Sequence, residues 1–370
     1  MYSVVRFVGR LKGEGSKMRT NFISLTVSVI FIGFLCIAFT NSAVAARWER
    51  IEDMPTPRWG LSSSVVDGRI YVFGGAKSGK PFPQWHPSGY LASVEVYDPA
   101  TDTWEKKDDM SAAKAWLSTS VVNGKIYVIG GGTTTEIVPP TVEEYNPATD
   151  TWTQKTDMPE PTTGLSTCVV HGKIYAIGGI SEDMNSTPSM FEYDPAADTW
   201  IQKSDMPAPR NMLAACAMNG KIYAIGGQIP TELFFGLSSV FEYDPTTDTW
   251  TWKSNMLEPR MALGACAVNG KIYAVGGASN AALSTVEIYD PQADTWTKGV
   301  DLPSALTHMA LGVVDGRIYS VGGRQTGFIA LSTVEVYDTG FRGTENLQNL
   351  SSVSPQGKLA KTWGEIKRSR

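Results

Sequence analysis

A short basic motif recurs along the chain and supplies the side chains best suited to bind an anion. Six aligned segments of the type "DMPxPR" end, in chain order, at Arg58, Lys114, Thr162, Arg210, Arg260 and Leu306. Guanidinium and ammonium groups favour carboxylate or sulfate, more so against an acidic background. If the six copies form a ring, four cations gather at its centre, which predicts an anion-binding ring. The alternative is that each cation satisfies backbone carbonyls of a neighbouring repeat.

Aromatic side chains accompany this motif. Trp59, Trp116 and His308 lie one or two positions after the cationic site and could stack beside the charges. Trp85 and His86 belong to the longest variable segment, "AKSGKPFPQWHPSGYLAS". Aromatic residues in such a loop indicate a contact surface for a protein or a sugar. Alternatively, they pack on the prolines of their own loop.

The sequence offers little else for catalysis. It contains three histidines, and no Ser/His/Asp arrangement, phosphate loop or metal-ligand cluster stands out. We therefore predict no catalytic residue, no metal and no cofactor. Cys168, Cys216 and Cys266 occupy one position in three consecutive repeats, too far apart for the geometry of a disulfide, so buried free thiols are expected. The formal net charge of −5 argues against nucleic acid as a partner.

These residues recur because the whole chain is repetitive. Six Gly-Gly pairs follow one another at intervals of 46 to 56 residues, each ending an alternating run such as "GKIYAIGG". A tyrosine in a "VEVYDP"-like run follows each pair, and "DTW" follows the first five tyrosines. Alternation predicts strands, and "NGK" or "DGR" predicts tight hairpins. The paired aspartates of "DPATDTW", such as Asp98 and Asp102, are predicted to cap turns.

A Gly-Gly pair, a later tyrosine and a tryptophan seven residues after it resemble the kelch repeat, over about four-fifths of the chain. The resemblance implies an all-β fold, a six-bladed propeller over residues 46–340 with four antiparallel strands per blade. Six blades need six outer-strand tryptophans, whereas no tryptophan follows the last repeat. We predict that Trp48 supplies it and that the N-terminal strand closes the ring. The structural tryptophans are then Trp48, Trp104, Trp152, Trp200, Trp250 and Trp296.

The order of strands predicts that uniform tight turns lie on one face and that variable loops and "DMPxPR" connections lie on the other. Recognition usually resides in varied loops on a rigid scaffold. We therefore expect a monomeric binding module for a protein or glycan ligand, acidic ligands included. Exported kelch proteins that resemble this chain in size and blade count include N-acetylneuraminate epimerases. That resemblance implies an alternative, a sialic acid mutarotase, with Glu160, Glu258 and His308 as acid–base candidates by position only.

The two ends of the chain differ from the repeats. Residues 1–45 combine basic residues, an 18-residue uncharged run and "AVA", which predicts a signal peptide cleaved after Ala45. The protein is then secreted or periplasmic and not associated with a membrane, the alternative being an uncleaved anchor with the propeller outside. Residues 341–370 form a polar, basic tail, read either as flexible or as a docking or sorting tag or a lid over the propeller.

Overall fold

The computed structural model describes residues 47–77, 89–133, 139–229, 235–326 and 329–341. The predicted leader, the tail beyond Phe341, and Trp85 and His86 lie outside the described residues. The chain divides into two units, residues 1–44 and residues 45–370. Every strand and site described below belongs to the second unit. No described segment is a helix long and apolar enough to cross a membrane.

The described strands form six four-stranded antiparallel sheets, one for each repeat. The chain begins with β1 (Trp48–Arg50). Blade 1 contains β2 (Ser62–Val66), β3 (Arg69–Phe73), β4 (Val94–Asp98) and β5 (Thr103–Lys107). A ribbon of β6 (Lys114–Ala115) and β9 (Gly132–Thr133) adjoins blade 2, which contains β7 (Ser118–Val122), β8 (Lys125–Ile129), β10 (Val142–Asn146) and β11 (Thr151–Lys155).

The remaining blades repeat this order. Blade 3 contains β12 (Ser166–Val170), β13 (Lys173–Ile177), β14 (Met190–Asp194) and β15 (Thr199–Lys203). Blade 4 contains β16 (Ala214–Met218), β17 (Lys221–Ile225), β18 (Val240–Asp244) and β19 (Thr249–Lys253). Blade 5 contains β20 (Gly264–Val268), β21 (Lys271–Val275), β22 (Val286–Asp290) and β23 (Thr295–Lys298). Blade 6 contains β24 (Ala310–Val314), β25 (Arg317–Val321) and β26 (Val334–Asp338).

The predicted hairpins and closure are confirmed. In the β16–β17 turn, Asn219 and Gly220 both have positive φ, 52° and 74°, as a two-residue hairpin that follows the strand twist requires. The outer strand of blade 6 is β1, in the order β1-β26-β25-β24. Trp48 lies opposite Tyr337 across β1 and β26, and their rings are 5.3 Å apart. The first described strand therefore completes the last sheet.

The Tyr, Asp and Trp of each of the first five repeats act together on the preceding blade. In blade 4, Tyr243 donates to Asp248 (2.6 Å), and Asp248 accepts the backbone N–H of Ser204 (3.0 Å). Trp250 donates its indole N–H to the carbonyl of the same Ser204 (2.8 Å). Both polar backbone groups of one connection residue are thus bound by the next blade. We call this arrangement the Tyr-Asp-Trp latch.

The latch recurs around the ring. In each case the Asp accepts the backbone N–H of a connection residue, and the Trp indole N–H donates to the carbonyl of that residue. These connection residues are Glu52, Asp108, Thr156, Ser204 and Ser254. The prediction for the paired aspartates is half right. Asp98 caps its turn by accepting the N–H of Ala100 (2.9 Å). Asp102 instead accepts hydrogen bonds from the Tyr97 hydroxyl and from the backbone N–H of Glu52, in the connection that follows the outer strand of blade 6.

Blades bury their apolar faces against one another. Between blades 3 and 4, for example, Ile177, Met190 and Met206 pack with Phe241 and Tyr243. The three cysteines of the described chain are buried and free, as expected. Burial raises the pKa of the Cys216 thiol to about 12, so it stays protonated.

The latches predict a loss of stability in acid. Burial alone would raise the pKa of Asp198, Asp248 and Asp294, but bonds from the tyrosine hydroxyl and a backbone N–H, with a nearby lysine, hold it below the usual value. A lowered native pKa contributes stability above the unfolded value of about 3.9 that is lost as the pH falls through the native pKa. Urea unfolding should therefore show a falling free energy below about pH 4. Tyr243→Phe should make that fall shallower, and an unchanged slope would contradict the latch.

Ring closure makes a second prediction. Trp48 is 7% exposed, stacks beside Tyr337 and donates to the carbonyl of Val300 (2.9 Å). Trp48→Ala should lower the free energy of unfolding by about 3–5 kcal/mol, because it removes a buried aromatic side chain and an inter-blade hydrogen bond. The matched control is Trp252→Ala on β19, since Trp252 is 61% exposed. Chemical denaturation should show a loss of about 1 kcal/mol or less there. Equal losses would mean that closure does not depend on Trp48.

Candidate functional site at the loop-side mouth of the channel

The four motif cations lie inside the blades, which corrects the expected ligand-binding ring. Arg58, Lys114, Arg210 and Arg260 are at most 1% exposed. Arg260 donates to the carbonyls of Gly276 (2.8 Å) and Thr285 (2.7 Å) and pairs with Glu287 (2.7 Å). The alternative interpretation, that these cations satisfy backbone carbonyls, therefore describes the geometry, although the carbonyls belong to the same blade. We call each cation with its partners a brace.

The braces differ in their partner on the third strand. Arg58 pairs with Glu95 (3.0 Å) and Lys114 with Glu143 (2.6 Å). Where the third strand has Phe241 instead of glutamate, the Arg210 guanidinium lies 4.1 Å from the centre of that ring. A cation over an aromatic face is attracted by the ring quadrupole, so blade 4 retains a brace without a carboxylate.

Two blades lack the cation. Blade 3 has Thr162 at the position of the cation and Phe191 at the position of the third-strand glutamate, so neither side chain is charged. Blade 6 has Leu306 but keeps Glu335, which is 6% exposed and has one carboxylate oxygen without a hydrogen-bond partner in the described part of the chain. Burial raises the pKa of Glu335, while Arg50 on β1 opposes this. The closing strand thus compensates in part for the missing brace.

A ring of backbone hydrogen bonds surrounds the channel axis directly after the braces. The N–H of Trp116 donates to the carbonyl of Gly60 (2.8 Å), and that of Gly60 donates to His308 (3.0 Å). The pattern continues through every blade until it returns to its start. Its members are Gly60, Trp116, Gly164, Met212, Ala262 and His308. All six have φ between 50° and 64°, and small and large side chains alternate around the ring.

Aromatic residues gather on one side of this ring, and they include Trp59, Trp116 and His308, which the sequence indicates as candidate ligand contacts. Trp59 makes edge-to-face contacts with Trp116 (5.5 Å) and His308 (5.2 Å). Tyr90, from the first variable loop, lies edge-on to Trp116 (5.6 Å). Burial raises the pKa of the Tyr90 hydroxyl to about 12. The cluster draws on blades 1, 2 and 6.

The cation of this cluster was not among the predicted site residues. Arg324 directly follows the Gly-Gly pair of blade 6, and its guanidinium lies 4.7 Å from the centre of the Trp59 ring. Its Nε donates to Nδ1 of His308 (3.4 Å). Burial, and then the charge of Arg324, lowers the pKa of His308 well below its usual value, so the imidazole is neutral. A signal did exist in the sequence, because Arg324 is the one charged residue after a Gly-Gly pair. We call Trp59, Tyr90, Trp116, His308 and Arg324 the mouth cluster.

The opposite side of the mouth is amide-rich. Asn211 donates to Ser186 (2.5 Å) and accepts from Gln228 (3.1 Å). Thr163 is 2% exposed, and no described residue bonds its hydroxyl. The mouth therefore combines an aromatic, cationic side with a neutral polar side.

The acid–base candidates are engaged elsewhere. Glu160 accepts the hydroxyl of Ser189 (2.7 Å), and Glu258 accepts that of Thr285 (2.5 Å) and pairs with Arg260 (3.3 Å). Both belong to the connections that hold the blades. In the described part of the chain, no group of three or more His, Cys, Asp or Glu side chains is placed to hold a metal ion.

Comparisons with known proteins agree with this architecture. A family model described as "KLHDC2/KLHL20/DRC7 Kelch-repeats domain" matches residues 118–323, and one described as "Kelch motif" matches residues 57–111. The chain belongs to the kelch-repeat family. Kelch-repeat propellers are in general protein-binding modules.

The relatives share only part of their length with this chain. Beta-scruin of Limulus polyphemus is 36% identical over 92 residues, which are 24% of this chain and 9% of scruin. Kelch-like ECH-associated protein 1B of Danio rerio is 32% identical over 89 residues, 24% of this chain and 14% of that protein. The chain thus matches one seventh or less of these relatives. The solved structure of YjhT aligns with a TM-score of 0.65 and 16% identity, covering 77% of this chain and 95% of YjhT, which shows a shared fold.

The brace geometry predicts a stability effect. Arg260→Ala should lower the free energy of unfolding by about 3–5 kcal/mol, because Glu287 would remain buried without its partner. Urea denaturation measures this loss. Arg69→Ala is the control, since its pair with Asp98 is exposed and worth about 1 kcal/mol or less.

A double variant tests the mechanism behind that loss. Arg260→Thr combined with Glu287→Phe copies the uncharged pair of blade 3 and should recover part of the stability. A wild-type melting curve for Arg260→Ala would instead return this residue to the list of candidate ligand contacts.

Proposed function

We propose that this propeller recognises a protein ligand at the loop-side mouth and that the mouth cluster receives an acidic side chain of that ligand. One observation carries the proposal. Trp59 is 5% exposed, and its indole N–H has no hydrogen-bond acceptor among the described residues. It lies beside the Arg324 cation, where the connections of three blades converge.

The energetics of Trp59 support a ligand. A buried donor without an acceptor costs about 1–3 kcal/mol, and phenylalanine would fill an aromatic position without that cost. A ligand carboxylate would satisfy the indole N–H of Trp59 and lie close to the positive charge of Arg324. Charge-assisted hydrogen bonds of this kind are roughly twice as strong as neutral ones. Thr163, at the same place in repeat 3, has an unpartnered buried hydroxyl that a ligand crossing the mouth would meet.

The electrostatics of the mouth support an anionic group. His308 is neutral, so the charge of the cluster is that of Arg324. The braces of blades 1, 2 and 5 are neutralised by glutamates within their own blades. Among the motif cations, only Arg210 is braced by an aromatic ring instead of a carboxylate, so Arg324 and Arg210 are the main sources of positive potential on this side of the propeller.

A protein is favoured over a sugar by the backbone of the mouth. Short antiparallel bridges surround the opening, including Trp59–Ala76, Ala76–Tyr90 and Arg324–Ala330. An extended peptide can form main-chain hydrogen bonds with such backbone segments and place alternate side chains against the aromatic rings. Binding rather than sialic acid mutarotation is proposed because Glu160 and Glu258 are held in the connections, and His308 is neutral and bonded to Arg324. We also propose that the leader exports the propeller, since its composition is that of a signal peptide.

A display library of 12-residue peptides, selected on the purified chain, tests the proposal. The recovered peptides should share an Asp or Glu. Trp59→Phe should weaken their binding by about tenfold or more, the loss expected for one hydrogen bond to a charged group, and should leave the melting temperature unchanged or higher. Isothermal titration and a thermal melt provide the two readouts.

The matched control is Trp252→Phe, on an exposed outer strand, which should leave binding unchanged. Peptides without a shared acidic residue, or equal affinities for the wild-type and Trp59→Phe proteins, would refute the proposed site.

A further inference from the structure

The channel between the inner strands contains a cavity that shares no lining residue with the mouth cluster. It has a volume of about 520 Å³ and lies among β2, β7, β12, β16, β20 and β24. Its lining reaches the tight turns at Asn219, Asn269 and Asp315 and includes no member of the backbone ring. The cavity is therefore on the turn side of the channel, opposite the mouth cluster.

The wall of this cavity combines apolar and polar side chains in separate layers. The layer nearest the turns is made of small aliphatic side chains, namely Val65, Val121, Val169, Ala217, Ala267 and Val313. Hydroxyl groups deeper in the channel bond one another, as in Ser64 to Thr119 (2.9 Å) and Ser120 to Thr167 (2.8 Å). Because these hydroxyl groups already have partners, an apolar occupant of the deeper channel would leave them satisfied, while the polar residues Asn219, Asn269 and Asp315 lie at the rim.

The chain leaves the propeller at this opening. After β26, the outer position of blade 6 is already filled by β1, so the chain cannot add an outer strand. Thr339 instead donates to the carbonyl of Gly316 (2.5 Å), and the N–H of Phe341 donates to the Thr339 hydroxyl (3.3 Å). These bonds turn the chain over the β24–β25 hairpin, and Phe341 lines the cavity. Residues 342–370 follow from that position.

We propose that the segment 342–370 docks over this opening and inserts apolar side chains into the cavity, with Leu347 and Leu350 as its anchors. They follow Phe341 by six and nine residues, a reach of roughly 20–30 Å if extended. That reach is long enough for both leucines to enter the cavity, because the segment starts at Phe341, which lines the cavity. A tethered segment also docks at high effective concentration, which favours it over a free ligand.

Charge supports this occupant. The segment 342–370 carries six basic side chains against two acidic ones. Each hairpin turn on this face carries one Lys or Arg, and each of these cations pairs with a carboxylate of its own blade. The face also presents the five latch aspartates, at positions 102, 150, 198, 248 and 294. Asp315 adds a carboxylate at the rim of the cavity. A basic segment is therefore drawn to the face from which it emerges.

Dye binding tests whether the cavity is occupied. In the full chain, the neutral apolar dye N-phenyl-1-naphthylamine should bind weakly, because the cavity is filled. Leu347→Asp combined with Leu350→Asp should increase its apparent affinity by about fivefold or more. The matched control is Ser351→Asp combined with Ser352→Asp, which adds the same charge without removing an anchor and should change little. These substitutions lie outside the propeller, so its folding is not at stake.

Cross-linking identifies the occupant. A zero-length carbodiimide should join Lys358 or Lys361 to an aspartate of the turn face within one chain. Cross-links found only between two chains would assign the cavity to a second copy and overturn the proposal. Equal dye affinity in the wild-type and leucine variants, or no cross-link from the tail, would also overturn it.

Discussion

The pairing of β1 with β26 is the interaction on which the rest of the structure depends. An open row of blades would expose one sheet edge and one apolar sheet face at each end. The three-residue strand that contains Trp48 covers the edge of blade 6, and ring closure brings blade 6 against blade 1. Only in a closed ring can the six backbone bonds from Gly60 to His308 return to their start. The same closure places the mouth cluster, since Trp59 and His308 come from blades that are neighbours only in the ring.

Two repeated devices, the latch and the brace, give the scaffold its rigidity, and their irregularities are informative. The latch binds blade to blade through a connection residue, while the brace binds the ends of strands within one blade. The last repeat departs from both. Its sequence has Arg342, not aspartate, five residues after Tyr337, and Leu306 replaces the brace cation. This repeat also supplies His308 and Arg324 to the mouth cluster and releases the chain beside the cavity. Blade 6 thus lacks the latch aspartate and the brace cation. The same blade closes the ring and contributes His308 and Arg324 to the mouth cluster.

Much of the fold followed from the sequence, and less of the site did. Period-two alternation, Asn-Gly turns and the count of tryptophans fixed strands, blades and the closing residue, because each depends on local chemistry or on simple enumeration. The position of Arg58 and its equivalents was also readable, but their environment was not. A repeated arginine suits a ligand ring and a buried brace equally well in sequence. The glutamate partners lie 27 to 37 residues away in the chain and come into contact only when the strands pair.

The sequence by itself determined the strands, the six-fold repeat, the N-terminal closure and the face that carries variable loops, because hydrophobic period and turn residues act over a few positions. The tertiary structure alone decided which charged and aromatic groups are buried, paired or left without a partner. Arg324 meets Trp59 from more than 260 positions away, and nothing local marks that contact. Burial and hydrogen-bond satisfaction are properties of the packed ring, so they appear only when the blades close around a common axis.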